Sequence, residues 1–439
     1  MGALLDFLKT YMWPLIFALV IVGVLPLLAG YVVLLERKVM ADMQARLGPM
    51  RVGPHGLLQP IADALKLLIK EDIIPESADK LVFWFAPIIS VTAAMLAYSA
   101  LAIGPFFQIA ELNIGLIFIV AVSSMGIFGI ILGGWASNSH YSLLGAMRST
   151  AQMISYETAA GLALVGGVLL AGSLSTRQIV QAQQESGVWF VFLAPIGFFL
   201  YLVASIAETN RAPFDLPEAE SELVAGYMTE YSGFRWAVYF LAEYANMIVV
   251  AGIATTLFLG GWMRPFAGTP WLDFVDFFPP ICFLGVGGYC FYRTPKQPEP
   301  IQSMVMALFG GLCLLLAAAM ALPFVPAFAA SKPGLHGAFW FLLKVSLYIY
   351  SFMWIRFTFP RFRFDQLMKL GWYFMIPLSI VNVLGLGVYK VLRMTGWGLW
   401  PALLLTTGGT LLVAIWLVWN AQKKGMDSGA VSEMTEAEG

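Results

Sequence analysis

The chain alternates long apolar runs with short polar connections. Apolar runs fall near residues 13–35, 82–103, 112–136, 152–174, 188–209, 237–262, 277–292, 301–327, 337–358, 370–390 and 399–421. All but 277–292 are long enough to cross the roughly 30 Å hydrocarbon layer of a bilayer as a helix. Helices are expected because lipid offers the backbone no hydrogen-bonding partner. The run 277–292 is short and carries Pro279 and Pro280, which predicts a tilted or re-entrant segment, although the charge pattern favours a crossing. One stretch has a different period. Between Leu57 and Lys70, Ile61, Ala64, Leu65 and Leu68 recur at helical spacing, with Asp63, Lys66 and Lys70 on the other face. That is the pattern of an amphipathic helix lying in the membrane interface. The expected fold is an all-α polytopic membrane protein with about eleven transmembrane helices plus one interfacial amphipathic helix.

Composition agrees. Of 439 residues, 59% are hydrophobic and 12% charged, about half the charge of a soluble domain. The net charge of −1 gives no basic field for nucleic acid, so that class of partner is excluded. The cysteines Cys282, Cys290 and Cys313 form no CxxC pair, and His55, His140 and His336 are widely separated. Ligands for an iron–sulfur cluster or a local zinc site are therefore not expected. The first apolar run is too long for a cleavable signal peptide. Lysine and arginine concentrate on alternate loops. Only Lys9, Arg177, Arg264, Lys332, Lys390 and Arg393 fall on the poorer side. The bias predicts an N-terminus outside and a C-terminus in the cytoplasm.

Three polar stretches carry the candidate chemistry. In 36–80, the triplet Glu36-Arg37-Lys38 closes the first span. Two Gly-Pro pairs then bracket a basic loop and predict tight, shaped turns. In 208–230, Glu208, Asp215, Glu218, Glu220, Glu222 and Glu230 crowd around one arginine, Arg211. Such carboxylates repel and are expected to share protons. Glu218 and Glu222 would share a helix face. Glu157 and Glu243 lie within spans, where ionisable groups are costly and usually mark an ion or proton path. The plain alternatives are a pairing of Glu157 with Arg148 and a solvated face for the loop acids. Lys344 and Arg356 share one span about 18 Å apart. Arg356 is near enough to the inside end to snorkel, and Lys344 is expected to take a carboxylate partner. Beyond them, Arg361 and Arg363 alternate with Phe362 and Phe364, for which a simple topology signal is the blander reading.

Together these pieces resemble one family, the quinone-chamber membrane subunit of respiratory Complex I, known in bacteria as the H subunit of NADH–quinone oxidoreductase. The matching residues include Glu36 to Lys38, Gln44-x-Arg46-x-Gly48-Pro49, Gly56 to Gln59 with Asp63, Arg148, Ser155-Tyr156-Glu157, Glu208-x-Asn210-Arg211-x-Pro213-Phe214-Asp215, Glu218-x-Glu220-x-Glu222, Glu230-Tyr231, Glu243-Tyr244, Arg356 and Pro360-Arg361-x-Arg363. They cover about residues 1–262 and 336–420.

The resemblance implies that the chain encloses the quinone access and binding chamber and couples quinone reduction to proton translocation, without activity alone. Chamber residues are then Arg37, Gln44, Arg46, Asp63, Arg211, Phe214, Asp215, Arg356 and Arg361. The proton path holds Glu157, Glu208, Glu218, Glu220, Glu222, Glu230 and Glu243. No cofactor or metal is expected on this chain. Quinone is substrate, while NADH, FMN and iron–sulfur clusters belong to partners. Those partners are the terminal iron–sulfur subunit, the quinone-site subunit of the peripheral arm and small membrane-arm subunits, with the lipid bilayer around them. The arginines are expected to hold the loops against carboxylates of partner subunits. The chain divides into 1–262, a membrane domain with loops 36–80 and 208–236; 263–335, an inserted apolar pair; 336–421, the C-terminal helices; and 422–439, a polar tail expected to be disordered. The insertion, the final span and Phe364 in place of a tyrosine depart from the family. A membrane-bound hydrogenase subunit of the same fold is the nearest alternative. An ion-coupled transporter is disfavoured because the chain lacks an internal repeat.

Overall fold

The computed structural model describes residues 12–105, 107–215, 224–265, 269–297, 300–324, 332–416 and 419. Every regular element among them is helical. In chain order the helices are α1 (Trp13–Met43), α2 (Gln59–Ile69), α3 (Lys80–Ala97), α4 (Gly115–Ala136), α5 (His140–Ala171), α6 (Thr176–Ser186), α7 (Phe190–Leu193), α8 (Pro195–Glu208), α9 (Gly233–Leu257), α10 (Phe278–Arg293), α11 (Pro300–Ala321), α12 (Lys332–Thr358), α13 (Phe364–Lys369), α14 (Ile376–Met394) and α15 (Leu399–Trp416).

Ten helices among the described residues are long and apolar enough to cross a membrane. The eleventh expected span is broken. Ala194 leaves the helical region at φ −132° and ψ 58°, and Pro195 begins α8. Proline has no N–H to continue the ladder. The α8 helix alone reaches only about 21 Å. The 277–292 run does form a membrane-length segment, because a 3₁₀ turn over Pro270–Phe277 extends it. Several helices outrun their apolar stretches. In particular, α1 continues to Met43, so Glu36 lies inside a helix and not at its end.

The core is centred on α9, which packs against α1, α2, α3, α6, α8 and α12. From Tyr244 to Leu257 nearly every α9 side chain is buried. A second cluster sits between α3, α4, α5 and the 226–231 loop, with Phe83 stacked on Tyr231 at 4.0 Å. By contrast, α10 and α11 pack mainly on each other and present Ile281, Leu308 and Leu315 outward, as the 3₁₀ turn before α10 does Trp271 and Phe274. The α2 helix buries none of its residues, and Ile61, Leu65 and Leu68 face away from the protein. An apolar face turned outward suits a helix half-sunk in lipid.

Candidate functional site

The site is organised by a residue whose significance the sequence concealed. Glu36 is only 6% exposed. Its carboxylate accepts a short bond from the Arg356 guanidinium and another from Tyr244 Oη at 2.6 Å. Arg211 stands 3.8 Å from Glu36 and 3.7 Å from Glu243, with its guanidinium 4.2 Å above the Tyr244 ring. Glu243 in turn accepts from Tyr227 Oη at 2.9 Å. The result is one line, Arg356–Glu36–Arg211–Glu243–Tyr227, assembled from α12, α1, the segment after α8, α9 and the 226–228 turn. Two carboxylates balance two guanidiniums. Charges this deep persist only when paired and hydrogen-bonded.

Each end of the line is held by close packing. Gly145 of α5 lies so near the 226–228 turn that a Cβ there would meet Gly226 Cα at 2.6 Å. Ser142 Oγ also donates to the Tyr227 carbonyl at 3.1 Å, which fixes the turn. Burial pushes the neighbouring Tyr231 hydroxyl up to about 12, so it stays protonated and donates to the Phe83 carbonyl at 3.4 Å. On the other side, Gln152 clamps the segment after α8, donating to the carbonyls of Ala207 and Phe214 at 2.9 and 2.8 Å. Asn210, at φ 49°, donates to Ser149 Oγ at 2.9 Å. Phe214 stacks on Phe362 at 5.5 Å, and Asp215 pairs with Arg361 at 3.3 Å. Thus 209–215 and 360–364 form one surface.

The first loop is shaped as expected. Gly53, His55 and Gly56 all take positive φ, and a Cβ on Gly56 would strike the Pro49 carbonyl at 2.2 Å. Lys38 Nζ donates to the His55 carbonyl at 2.5 Å. Arg37 pairs with Asp63 at 2.8 Å, and Gln59 donates to the same carboxylate at 2.9 Å, which ties α2 to α1. Gln44 and Arg46 bond each other at 2.7 Å on the exposed loop.

Of the acidic residues, Glu157 of α5 and Glu208 at the end of α8 are close enough to interact electrostatically. Glu157 accepts from Ser124 Oγ, a partner other than the Arg148 weighed from sequence; the Arg148 guanidinium lies over the Phe364 ring at 5.8 Å. Glu230 follows the 226–228 turn and is half-buried. Glu218, Glu220 and Glu222 lie outside the described residues.

Arg37, Arg211, Arg356 and Arg361 pair with carboxylates of this same chain. Two expectations are corrected. Arg356 turns inward to Glu36 and does not snorkel. Lys344 donates to three carbonyls, of Leu259, Gly261 and Met263, at 2.6, 2.9 and 2.6 Å. They become available because the chain turns through Gly260 and Gly261, both at positive φ, after α9 ends. The signal that could have revealed Glu36 was its place at the end of an apolar run. An acid there matches the cost-bearing class of Glu243, yet beside Arg37 and Lys38 it resembled ordinary interfacial charge.

The chain matches the family model for NADH dehydrogenase over residues 15–387. It is 54% identical over 389 residues to the second NADH-quinone oxidoreductase H subunit of Solibacter usitatus, covering 87% of this chain and 97% of that protein. It is 47% identical over 387 residues to the first NADH-quinone oxidoreductase H subunit of Koribacter versatilis, covering 84% and 89%. The corresponding H subunit of Thermomicrobium roseum is 42% identical over 396 residues, covering 86% and 95%. These matches, together with the membrane-length helices, place the chain in the NADH dehydrogenase family as a membrane subunit of an NADH–quinone oxidoreductase of the Complex I type.

Proposed function

We propose that this subunit forms the quinone access and binding chamber of the complex and couples quinone reduction to proton translocation. The carrying observation is the unbroken ionic line from Arg356 to Tyr227, since it joins the loop surface at 209–215 to a carboxylate within a span. Partner subunits supply NADH oxidation, FMN and the iron–sulfur clusters, and electrons reach quinone from the last of these. The outward apolar face of α2 offers a hydrophobic approach from the bilayer. Arg37, Gln44, Arg46, Asp63, Phe214, Asp215 and Arg361 surround the path beyond it. A quinone that takes up two electrons also needs two protons, so donors of matched acidity assist. Negative charge arriving near Arg211 or Arg356 competes with Glu36 for the guanidinium and disturbs the Arg211–Glu243 pair. Interacting carboxylates pass such a change along. Glu157, Glu208, Glu230 and the acids Glu218, Glu220 and Glu222 continue the path. In this reading the N-terminus lies outside a bacterial inner membrane and the C-terminus in the cytoplasm.

The test uses a photoreactive quinone analogue on the assembled complex. Labelling of segments 36–63 and 208–215, competed by quinone, is the expected result. Labelling confined to other subunits or to the α10–α11 hairpin would overturn the chamber assignment.

A further inference from the structure

We infer that the α10–α11 hairpin braces the Gly53–Gly56 turn of the first loop and so positions the entrance of the proposed chamber; the second half of that statement rests on the chamber reading. The hairpin contributes no residue to the ionic line. Beyond the interface between its own helices, α11 packs on two neighbours, α12 and the Pro54–Gly56 turn. One end of the hairpin is pinned to α12 by rings. Phe277 stacks on Phe324 at 4.4 Å, Phe278 stacks on Trp340 at 5.8 Å, and His336 Nε2 donates to the Met320 carbonyl at 2.8 Å. Along α12, His336 is about 30 Å from Arg356. Arg356 meets Glu36, and Lys38 on the same stretch of α1 holds the turn. The turn therefore lies at the far end of α12 from the rings, and the Pro300 end of α11 reaches it. At about 33 Å, α11 has the length to do so.

The turn is one that needs support. His55 stands at φ 53° without being glycine, between Gly53 and Gly56, which are also at positive φ. Such conformations persist only where the surroundings over-determine them. From within the loop, Lys38 Nζ donates to the His55 carbonyl. From outside it, the support is α11. Pro54 and Gly56 are buried, whereas α2, which starts three residues later, buries nothing. The turn leads directly into Gln59, which bonds Asp63 of the Arg37 pair. A loosened turn frees the start of α2 and that pair to shift. Apolar packing between membrane helices gains little over contact with lipid, so loss of the hairpin spares the α9 core and is felt at the turn. The chain ends that flank the hairpin also lie together, because a Cβ on Gly337 would meet Trp262 Cβ at 3.2 Å. The hairpin can therefore be excised and the gap closed by a short linker.

The test compares the assembled parent complex with one whose subunit lacks residues 266–331, joined by a short glycine–serine linker. Amide hydrogen exchange over residues 50–58 is expected to quicken severalfold, as local opening becomes easier. The KM for quinone is expected to rise about threefold or more with kcat little changed, and oxidation by a hydrophilic acceptor is unchanged. Gly310→Leu serves as a second variant that keeps every helix. A Cβ there would already meet Cys290 Cβ at 3.0 Å, so the larger side chain wedges α11 off α10. It is expected to move both readouts the same way by less. Unchanged exchange over 50–58 in both variants would overturn the brace. Faster exchange with an unchanged KM would leave the brace standing and strike the chamber assignment instead.

Discussion

Replacing Glu36 by glutamine keeps the size of the side chain and removes its charge. Tyr244 Oη, now 2.6 Å from a carboxylate oxygen, can still donate to the amide carbonyl. What is lost is electrostatic. At 3.8 Å and an effective dielectric constant of about 20, the Arg211–Glu36 attraction is about 4 kcal/mol. Arg356 is closer still and loses more. The avoided desolvation of Glu36 offsets part of this, so the net cost is about 3–5 kcal/mol, as for removing one member of a buried pair. Arg211 is then left with Glu243 alone and is drawn toward it, away from the 209–215 surface. Two measurements follow on the assembled complex. Thermal melting of the membrane arm should fall by several degrees. Quinone-linked NADH oxidation should fall at least tenfold, while oxidation by a hydrophilic acceptor that bypasses quinone is unchanged. The reasoning is refuted if melting and quinone-linked rate both match the parent protein.

Other expectations can be checked alongside. Tyr244→Phe removes one hydrogen bond to a charged group, worth about 1.5–3 kcal/mol, and keeps the ring beneath Arg211; a double-mutant cycle with Glu36→Gln should show coupling near that size. Arg37→Ala breaks a half-exposed pair worth below about 1 kcal/mol; steady-state kinetics should show a raised KM for quinone with little change in kcat. Gly145→Ala drives a methyl into the Gly226 backbone, costing about 1–3 kcal/mol, and should reduce the amount of complex assembled in membranes. Lys344→Met orphans three carbonyls at about 1–3 kcal/mol each, so this subunit should be degraded before assembly, as read by quantifying it in membranes.

The spans were legible because lipid imposes a length and an apolar composition that survive in any register. The amphipathic α2 helix was legible for the same reason, since its polar and apolar faces alternate at the helical period. The break at Pro195 was hidden inside an apolar run. Arg211, Glu243 and Arg356 stood out singly, but the line that joins them was not legible. Glu36 meets Arg211, Tyr244 and Arg356, residues brought together only by the packing of α1, α9 and α12. Lys344 was misjudged because a sequence displays carboxylates but not carbonyls freed by a turn, and here the glycine turn at 260–261 supplied the acceptors. Arg356 was misjudged likewise, because proximity to a helix end says nothing about which way the side chain turns.

The central claim is that the line ending at Glu243 couples quinone reduction to proton movement. Its most direct test is Glu243→Gln in proteoliposomes, with NADH-driven quinone reduction and proton transfer recorded together. Proton transfer reduced at least tenfold in a fully assembled complex is the predicted result. Proton transfer per NADH and overall rate both equal to those of the parent would contradict it.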